Sequence, residues 1–471
     1  MNRYFNEKSN YDKYPVVNVP GMEEECRVGW RAISDRLEKD LSQIGKKVKV
    51  VVLECYQGVS DEEVVTALQS AFPASRWFFS ADAMKSPEQI DAILKQDITE
   101  DEIFGYMTRQ NMDCYFDGDK LPGIRSEIAA VTEGIVFVYG VGAAYVQPSY
   151  DLLVYADMAR WEIQMRFRRN EVSNVGISNR EERASLQYKR AFFVDWRICD
   201  RFKKKLMKKW DYVLDTNTAG NPKMATAKAI EAGLEKASRT PFRVVPFFDP
   251  GPWGGQWMKE VCDLDREVPN FAWCFDCVPE ENSLYLGFGD VRFELPSIDL
   301  VFAYPARLLG NPVYGRFGDE FPIRFDFLDT MEGGNLSLQV HPLTQYIQEK
   351  FGMHYTQDES YYMLDAAEDA TVYLGVKEGI EPEEMIDALN EAQESGCFDA
   401  EKYVGRYPVK KHDHLLIPAG TIHCSGTNGM VLEISATPYI FTFKLWDWGR
   451  LGLDGRPRPI NIKHGQEVIQ W

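Results

Sequence analysis

The first 340 residues of this chain contain no histidine. Histidine is the commonest metal ligand among side chains, and it is the one that titrates near neutral pH. Its absence excludes imidazole-based metal chemistry from the first 340 residues. The six histidines of the chain all follow, at His341, His354, His412, His414, His423 and His464. Any site built on imidazole must therefore lie in the last third of the sequence.

Cysteine and long apolar runs are also scarce. The nine cysteines in 471 residues are an odd and sparse set. No secretory signal opens the sequence, and no apolar run reaches the roughly 18 residues of a membrane-spanning helix. We therefore expect a cytoplasmic protein with reduced thiols and no membrane partner. Cys274 and Cys277 form a lone C-x-x-C with aromatic, strand-like flanks, which favours core cysteines over a zinc or redox pair.

Positive charge is in short supply overall. The formal net charge is -19 at pH 7 and the sequence pI is about 4.9. An acidic surface repels phosphate backbones, so general nucleic-acid binding is excluded. Residues 160–209 are an exception, with 15 Lys/Arg against 6 Asp/Glu. This excess would suit a phosphorylated ligand, but a solvated helical face is the favoured interpretation.

The length of the chain predicts more than one domain. At about 150 residues per domain, 471 residues exceed one ordinary core. The sequence pattern changes near residue 240, where strands alternating with helices give way to short strands punctuated by Gly and Pro. The predicted segments are a polar and helical N-terminal segment (1–44), an α/β domain (45–240) and an all-β domain (241–471).

Buried strands and helices alternate in the α/β domain. Lys49–Cys55 is a continuous apolar run, as in the buried strands of parallel sheets. A helix follows it, with Ser60 and Glu63 at the spacing of a capping box. Further buried strands are predicted at Gly134–Tyr139 and Leu152–Tyr155. This alternation indicates a parallel α/β sheet.

The last part of the sequence is typical of a β-sandwich or barrel. Punctuation such as Pro250-Gly251-Pro252 and Gly333-Gly334 separates short strands. One helical insertion is predicted at Glu381–Glu394. The histidines therefore fall within an all-β framework.

Four side chains in this framework suit a divalent metal. Gln339 and His341 are two residues apart, so on a strand they share one face, about 7 Å apart. The same alternation puts Ser337 on that face. Glu359 opens another strand pattern, and a Pro-x-Gly turn presents His423 at the start of the next strand. Two imidazoles, a carboxylate and an amide oxygen that converge inside a small barrel would bind one metal ion.

The residues from about 245 to 464 resemble the class I mannose-6-phosphate isomerases, which are zinc-dependent cupins with a jelly-roll barrel. The fragments that carry the resemblance are Pro252-Trp253-Gly254-Gly255, Leu336-Ser337-Leu338-Gln339-Val340-His341-Pro342, Glu359-Ser360-Tyr361-Tyr362-Met363-Leu364, Ile417-Pro418-Ala419-Gly420-Thr421-Ile422-His423, Val431-Leu432-Glu433 and Trp446-Asp447-Trp448-Gly449-Arg450. They occur in the order of the family over almost half of the chain.

The resemblance implies a metal-dependent aldose–ketose isomerase that acts on a small-molecule sugar phosphate, most simply mannose 6-phosphate. One Zn²⁺ per chain would be held by Gln339, His341, Glu359 and His423. The metal would act as a Lewis acid while a proton moves between C1 and C2 of the sugar. The alternative is a non-catalytic carbohydrate-binding or regulatory protein that keeps the metal fold.

Roles for further residues follow from the resemblance. Glu433 is the first candidate for the acid–base step, with support of a metal ligand as the equal alternative. Lys444 and Arg450 could neutralise an anionic substrate or enediolate. Ser337, Gln357 and Lys444 are the residues we expect to contact the substrate.

Two of these positions depart from the family pattern. Gln357 stands where many members have a phosphate-binding lysine, and Lys444 stands where an arginine is expected. A lysine keeps the positive charge but loses the bidentate fork of an arginine. These departures predict an intact metal site with weaker recognition of a phosphate.

The α/β domain resembles uridine and cytidylate kinases more distantly. The resemblance rests on the strand-turn-helix at residues 50–67, on 151–157, on 210–215 and on the arginines Arg160, Arg166, Arg168 and Arg169. Glu54 stands where a phosphate loop would have its first glycine, and no lysine follows Gly58. We therefore expect a degenerate P-loop-like domain that does not hydrolyse ATP. The alternative is a scaffold or dimerisation domain without a ligand, in which case the protein could form a homodimer.

Overall fold

The structure is a computed structural model that describes residues 7–436, 440–453 and 455–471. It is mixed α/β, and the strands of the described residues form four sheets. Residues 1–6 of the predicted N-terminal segment lie outside the described residues.

Within these ranges, no helix combines the length and the apolar character needed to cross a lipid bilayer.

The strands are numbered along the chain. They are β1 (Val16–Asn18), β2 (Cys26–Val28), β3 (Val48–Cys55), β4 (Arg76–Phe79), β5 (Gly134–Gly140), β6 (Leu152–Asp157), β7 (Tyr212–Asp215), β8 (Lys223–Thr226), β9 (Phe247–Asp249), β10 (Trp273–Cys277), β11 (Ser283–Phe288), β12 (Val291–Pro296), β13 (Arg324–Asp329), β14 (Leu338–Val340), β15 (Asp358–Ala366), β16 (Thr371–Val376), β17 (Val404–Pro408), β18 (His414–Ile417), β19 (His423–Ser425), β20 (Gly429–Ala436) and β21 (Phe443–Trp446).

The helices are numbered in the same way. The α-helices are α1 (Trp30–Gln43), α2 (Asp61–Ala71), α3 (Pro87–Ile98), α4 (Lys120–Ala129), α5 (Ala143–Val146), α6 (Arg160–Arg168), α7 (Ala184–Arg190), α8 (Trp196–Leu206), α9 (Ala227–Ala237), α10 (Trp257–Val261), α11 (Ile298–Ala303), α12 (Pro305–Leu309), α13 (Asn311–Phe317), α14 (Thr344–Phe351), α15 (Pro382–Ser395), α16 (Ala400–Tyr403) and α17 (Ile462–Gly465). A π-helix, Ala191–Asp195, joins α7 to α8.

The chain divides into two compact units that differ from the predicted segments. One comprises Met1–Tyr14, Val245–Val278 and Glu320–Trp471, and the other comprises Pro15–Val244 and Pro279–Asp319. We call them the β unit and the α/β unit. The predicted change near residue 240 falls close to the division at 244. The predicted boundary at 44 and the single segment 241–471 do not match it, because residues 279–319 pack with the α/β unit.

The α/β unit is built on a seven-stranded sheet in the order β2-β8-β7-β6-β3-β5-β4. The five strands from β7 to β4 in this order are parallel to one another. β8 pairs antiparallel with β7 on one side and with β2 on the other. The strands predicted at 49–55, 134–139 and 152–155 are confirmed as β3, β5 and β6. They are apolar along their length because helices cover both faces of a parallel sheet.

Local sequence signals also set the helix that follows β3. The Ser60 side chain accepts a hydrogen bond from the Glu63 backbone N–H at 3.4 Å, so α2 begins where the capping spacing predicts. In a full capping box the Glu63 side chain would also accept from the Ser60 N–H. Here its Oε1 accepts instead from Trp30 Nε1 and from the Gly220 N–H.

Glu54 is buried at the carboxyl end of β3. Its two carboxyl oxygens each lie 2.7 Å from a backbone nitrogen, of Gly142 and of Ala144 respectively, and accept from these N–H groups at the start of α5. Burial raises the pKa of Glu54 to about 8, although these two hydrogen bonds oppose the shift. Glu54 therefore ties the start of α5 to the carboxyl end of β3.

The raised pKa of Glu54 predicts a pH dependence of stability. Between pH 4.5, its ordinary pKa, and about 8, the folded state holds a proton that the unfolded state has released. Stability should therefore fall as the pH rises through this window. Glu54→Gln should flatten that slope and cost about 1–3 kcal/mol, because its NH2 group faces a backbone donor.

Urea unfolding of both proteins across this pH range measures the slope. Glu133→Gln, at an exposed site, is the matched control and should keep the slope of the parent protein. Parallel pH profiles for the Glu54→Gln variant and the parent would contradict the assignment.

Long-range contacts attach residues 279–319 to the α/β unit. β11 and β12 form a hairpin that pairs in parallel with β1. Lys203 of α8, 1% exposed, donates to both oxygens of Asp157 at 2.7 and 2.9 Å and to Asp299 of α11 at 2.9 Å. Sequence patterns do not show such pairings, which explains the error in the predicted segment.

Removal of the Lys203 ammonium should therefore destabilise the α/β unit strongly. Lys203→Met would leave two buried carboxylates without a counter-charge, at a cost of about 3–5 kcal/mol. Lys204→Met is the control, because its partner Asp319 and Lys204 itself are both 33% exposed; we expect less than about 1 kcal/mol. Equal losses in chemical denaturation of the two variants would contradict this account.

The basic stretch from 160 to 209 is only in part the solvated face that its composition favours, because seven of its fifteen cationic side chains are exposed. Five of its cationic side chains are 6% exposed or less: Arg160, Arg166, Lys189, Arg190 and Lys203. Buried cations need partners, and these side chains have carboxylate or carbonyl partners within the same unit. Part of the local excess of charge is therefore used inside the fold.

The β unit contains two antiparallel sheets. Their orders are β18-β15-β20-β13-β10-β9 and β17-β16-β19-β14-β21. The rings of Tyr361 in the first sheet and His423 in the second lie against each other, with centroids 5.8 Å apart. The predicted helical insertion is confirmed as α15. The unit is not purely β, because α10, α14, α16 and α17 also lie in it, and the cupin assignment stays a prediction.

Candidate metal centre

Two histidines enter the interior of the β unit from neighbouring strands. His341 follows β14 directly, and His423 opens β19, which pairs with β14 through Gln339. The turn before His423 requires Gly420, whose φ is +84° and where an added Cβ would lie 2.8 Å from the Val468 carbonyl oxygen. Both histidines are at most 1% exposed. The Pro-x-Gly signal in the sequence thus places the second ring.

Glu359 of β15 faces both rings from the opposite sheet. Its Oε1 lies 2.7 Å from His423 Nε2, and its Oε2 lies 3.2 Å from His341 Nε2. The candidate ligand atoms of these three residues all lie within 4.8 Å of one another. The structure therefore brings together three of the four side chains that the sequence predicts as ligands in one buried cluster.

The backbone fixes the protonation of each ring. The Nδ1 atom of His341 lies 3.0 Å from the Phe441 carbonyl oxygen, and that of His423 lies 2.9 Å from the Thr421 carbonyl oxygen. A carbonyl oxygen only accepts, so both Nδ1 atoms carry a hydrogen. In the neutral rings, each Nε2 then presents a lone pair to the carboxylate, as metal-binding histidines do.

These lone pairs are the test of whether the cluster fits a metal. Neutral imidazoles and an ionised carboxylate would all point acceptors at one another, in the interior of the protein. His341 Nε2 and Glu359 Oε1 have no hydrogen-bond partner among the described residues. A cation between them removes the repulsion, so the donor set fits a metal ion. Burial would raise the pKa of Glu359, and positive charge at His341 and His423 would hold it well below its usual range.

Gln339, the fourth predicted ligand, lies at the edge of this cluster. Its Nε2 is 3.3 Å from His423 Nε2, and its side chain is 7% exposed. A half-turn of the amide would present the oxygen instead of the nitrogen. Ser337 is buried one residue before β14 begins. The ligand role of Gln339 and the substrate role of Ser337 stay predictions.

Gln357 joins the cluster in a way that the sequence does not predict. Its Nε2 donates to Glu359 Oε2 at 2.6 Å and to Glu433 Oε1 at 3.1 Å. The side chain is 5% exposed. The amide of Gln357 therefore supports the carboxylate of the cluster, and its role in substrate contact stays a prediction.

Two further buried acids lie near Glu359, and Gln357 links one of them to it. Glu433 of β20 is opposite Asp326 of β13 in the strand register, and both are at most 8% exposed. Burial raises the pKa of each well above its usual range, and neighbouring carboxylates add to the shift. Sequence reasoning missed Asp326. The alternation of Arg324, Asp326 and Leu328 with phenylalanines is the only local signal for it.

Lys444 lies on the opposite wall. It pairs with Gln339 in the register of β14 and β21, so the two side chains share a face of that sheet. Burial lowers the pKa of Lys444 to about 7, and the positive charge of Arg458 adds to the shift. Acids therefore come from the first sheet, and imidazoles and an amine come from the second.

Arg450 is engaged by protein groups. Its Nε and Nη2 donate to Asp447 Oδ1 at 3.1 and 2.6 Å, and its Nη1 donates to the Asn335 carbonyl oxygen at 2.5 Å. Arg458 also donates to Asp447. These contacts fix the segment after β21, and a catalytic role for Arg450 stays a prediction.

The remaining histidines lie outside the cluster. His354, His412 and His414 are exposed, and His412 Nδ1 lies 2.7 Å from the Tyr362 hydroxyl. His464 is partly buried and contacts the Tyr346 hydroxyl.

The arginines of the α/β unit that resemble a kinase lid also have protein partners. Arg160 pairs with Asp200. Arg166 donates to Glu162 at 2.9 Å and to the Gly58 carbonyl oxygen at 2.8 Å. These partners use the charges that a nucleotide or sugar phosphate would need, and the P-loop-like character of the unit stays a prediction.

Comparison with known proteins gives matches of two kinds. A family described as a domain of unknown function (DUF8485) matches residues 29–239. The chain is 26% identical over 234 residues to mannose-6-phosphate isomerase ManA of Bacillus subtilis (strain 168), which covers 48% of this chain and 66% of the relative. It is 26% identical over 224 residues to mannose-6-phosphate isomerase of Streptococcus mutans, with coverages of 46% and 64%.

A solved structure matches over a similar share. The mannose 6-phosphate isomerase from Bacillus subtilis aligns at 21% identity with a TM-score of 0.40, and the alignment covers 48% of this chain and 68% of that chain. A TM-score of this size does not establish a shared fold. The chain spans slightly less than two thirds of the length of the curated relatives given above.

Loss of either histidine should remove the metal. His341→Ala or His423→Ala would leave too few donors to hold an ion, so bound metal should fall to near zero and the melting temperature should drop. His414→Ala, at an exposed site on β18, is the matched control. Metal analysis of the purified proteins by mass spectrometry checks this. Full metal content in both alanine variants would contradict the assignment.

Proposed function

We propose that this protein is a metal-dependent aldose–ketose isomerase that converts mannose 6-phosphate to fructose 6-phosphate. The observation that carries the proposal is the buried cluster of His341, Glu359 and His423. The curated relatives named as mannose-6-phosphate isomerases support the reaction class. A sugar isomerase needs a group that polarises sugar oxygens beside a group that moves a proton, and the cluster and its neighbours supply candidates for both.

The metal we propose is one Zn²⁺ per chain. Two imidazole nitrogens, one carboxylate and one amide oxygen form a mixed nitrogen and oxygen set that zinc accepts. When bound, the ion would act as a Lewis acid toward the sugar oxygens. Gln357 would hold Glu359 in place, and the two backbone carbonyls would hold the rings.

Glu433 is the residue we propose to move the proton between C1 and C2. Burial and the neighbouring carboxylates raise its pKa well above the usual range, which suits a carboxylate that takes the proton from one carbon and returns it to the other. Its hydrogen bond from Gln357 links it to the metal-binding carboxylate. This placement suits exchange of a proton with a sugar that is held at the metal.

Lys444 is the residue we propose to balance the charge of an enediolate. It shares a sheet face with Gln339, and no side-chain hydrogen bond of its ammonium group is found among the described residues. In this proposal Arg450 acts through Asp447, whose position it fixes, and Ser337 and Gln357 line the substrate. The remaining expectations also stay proposals. They are a sugar phosphate as the ligand, no nucleic-acid or membrane partner, a homodimer as one option for the assembly, and a cytoplasmic location.

A non-catalytic carbohydrate-binding or regulatory protein is the second candidate. The observation that favours it is Gln357, which is buried and committed to Glu359 and Glu433. No lysine is therefore available at that position for a phosphate. In this alternative the α/β unit would act as a pseudo-kinase-like domain beside a metal-containing binding domain.

A coupled assay separates the two candidates. The protein with Zn²⁺ should form fructose 6-phosphate from mannose 6-phosphate, and chelation should abolish turnover. Glu433→Gln should lower kcat by about 10²-fold or more with unchanged metal content, because it removes the acid–base group and keeps the shape. Glu368→Gln, in the exposed turn after β15, should keep full activity.

Each outcome of this assay has a meaning. Absence of turnover on every hexose phosphate tested, with metal bound, would defeat the enzyme proposal and favour the second candidate. Full activity of the Glu433→Gln variant would contradict the proton-transfer role. Loss of metal in that variant would assign Glu433 to support of Glu359 instead.

A further inference from the structure

A cavity lies wholly within the α/β unit. Its volume is about 730 Å³, and it is lined by side chains from the segments 55–62, 79–87, 139–141 and 171–180. Small-molecule sites commonly have volumes of roughly 300–1,000 Å³. The cavity shares no residue with the metal centre, so the isomerase proposal does not account for it.

The topology of the sheet places this cavity where ligands bind. The segments at its floor follow the carboxyl ends of the parallel strands β3, β4 and β5. In the sheet order, the connection from β3 leads toward β4 at one edge, and the connection from β5 leads in the opposite direction, to β6. In open α/β sheets, the crevice outside the carboxyl ends of strands, where the order reverses, is the usual ligand site.

One buried polar atom of the wall has no protein partner. Gln57 is 2% exposed, and its Nε2 donates to the Ser173 carbonyl oxygen at 3.1 Å. Its Oε1 is buried and has no hydrogen-bond partner in the part of the chain that the structure describes. An acceptor left in this state costs about 1–3 kcal/mol. A ligand with a hydrogen-bond donor at this point would remove that cost.

The wall formed by residues 171–180 is held in place from behind. Asp195, in the π-helix, accepts from Asn174 Nδ2 at 2.8 Å. Gln187 Nε2 donates to the carbonyl oxygen of Val172 at 3.0 Å. Asp195 and Gln187 are fully buried. A π-helix beside this wall agrees with a functional role for it, because π-helices often occur at functional sites.

Acidic side chains outnumber basic ones in the lining of the cavity, with Asp61, Glu62 and Glu171 against Lys85 and Arg180. The first turn of α2 carries Asp61, Glu62 and Glu63, which already complement the positive end of the helix dipole. Lys85 lies in the wall, but its ammonium donates to the backbone carbonyls of Cys114 and Phe116. A phosphate in this cavity would meet carboxylates at the helix start.

The remaining lining suits a ring that carries hydroxyl groups. Tyr56, Phe79 and Tyr139 are the aromatic residues of the lining, and Phe79 is the most exposed of the three. The Asp61 carboxylate, which accepts from the Tyr139 hydroxyl at 2.7 Å, also belongs to the lining. Carboxylate and amide oxygens accept from hydroxyls, while aromatic faces cover the apolar side of a ring. We propose that this cavity binds an uncharged, hydroxyl-rich ligand, either a free sugar or the sugar of a nucleoside.

Calorimetric titration of the full chain tests this proposal. The probes are mannose, fructose and uridine, with mannose 6-phosphate and ATP as charged comparators, all in EDTA to remove metal from the β unit. At least one neutral probe should bind with a Kd below about 1 mM, and both charged comparators should bind at least about tenfold more weakly. A sugar that binds identifies a free sugar as the ligand, and uridine identifies a nucleoside.

Variants show whether this cavity is the site. Gln57→Met keeps the side-chain length and removes the acceptor, so affinity should fall about tenfold. Ser178→Trp, at an exposed position in the wall, should block entry without touching the core. Gln43→Met, at the exposed end of α1, should bind as the parent does, and melting temperatures report folding.

Three results would overturn the proposal. They are no binding of any neutral probe, binding that survives both cavity variants, and tighter binding of either charged comparator. If the Gln57→Met variant does not fold, Ser178→Trp alone decides. Loss of binding in a folded Ser178→Trp protein supports the site, and retained binding refutes it. Neither result depends on isomerase activity.

Discussion

Two imidazole rings and one carboxylate point their lone pairs at one another inside the β unit, and the account of this protein depends on that arrangement. Backbone carbonyls at Phe441 and Thr421 occupy both Nδ1 atoms, so neither ring can turn its N–H toward Glu359 without losing a buried hydrogen bond. An arrangement of this kind is stable only with positive charge at its centre. The surrounding walls agree with this, since acids come from one sheet and an amine and the rings come from the other.

The sequence predicts this cluster well because the signals are local. A Gln-x-His spacing on a strand, a Pro-x-Gly turn and a strand-initial glutamate each set the direction of one side chain. The supporting contacts are not local. Gln357 reaches Glu433 over 76 positions, and Asp326 meets Glu433 through strand pairing, so no spacing in the sequence reveals them. The sequence draws attention to Gln357, but it does not show the two carboxyl groups to which this amide donates.

The α/β unit shows the same division between local and distant information. Apolar runs predict β3, β5 and β6, and the capping serine predicts the start of α2. The grouping of residues 279–319 with this unit rests on the buried contact of Lys203 with Asp299, 96 positions apart. Composition is an incomplete guide at residues 160–209, because five of the fifteen cationic side chains are buried and have partners inside the fold. Glu54 has a comparable role, because its carboxyl group accepts from two backbone N–H groups that lie 88 and 90 positions away in the sequence.

The central claim is that a metal ion, and not a pair of protons, balances Glu359. Anomalous diffraction from crystals of the protein grown with Zn²⁺, recorded on both sides of the zinc absorption edge, tests it most directly. We predict one anomalous peak per chain, bonded to Nε2 of His341, Nε2 of His423 and the carboxylate of Glu359. Absence of a peak there, with both rings hydrogen-bonded directly to Glu359 as imidazolium ions, would contradict the account.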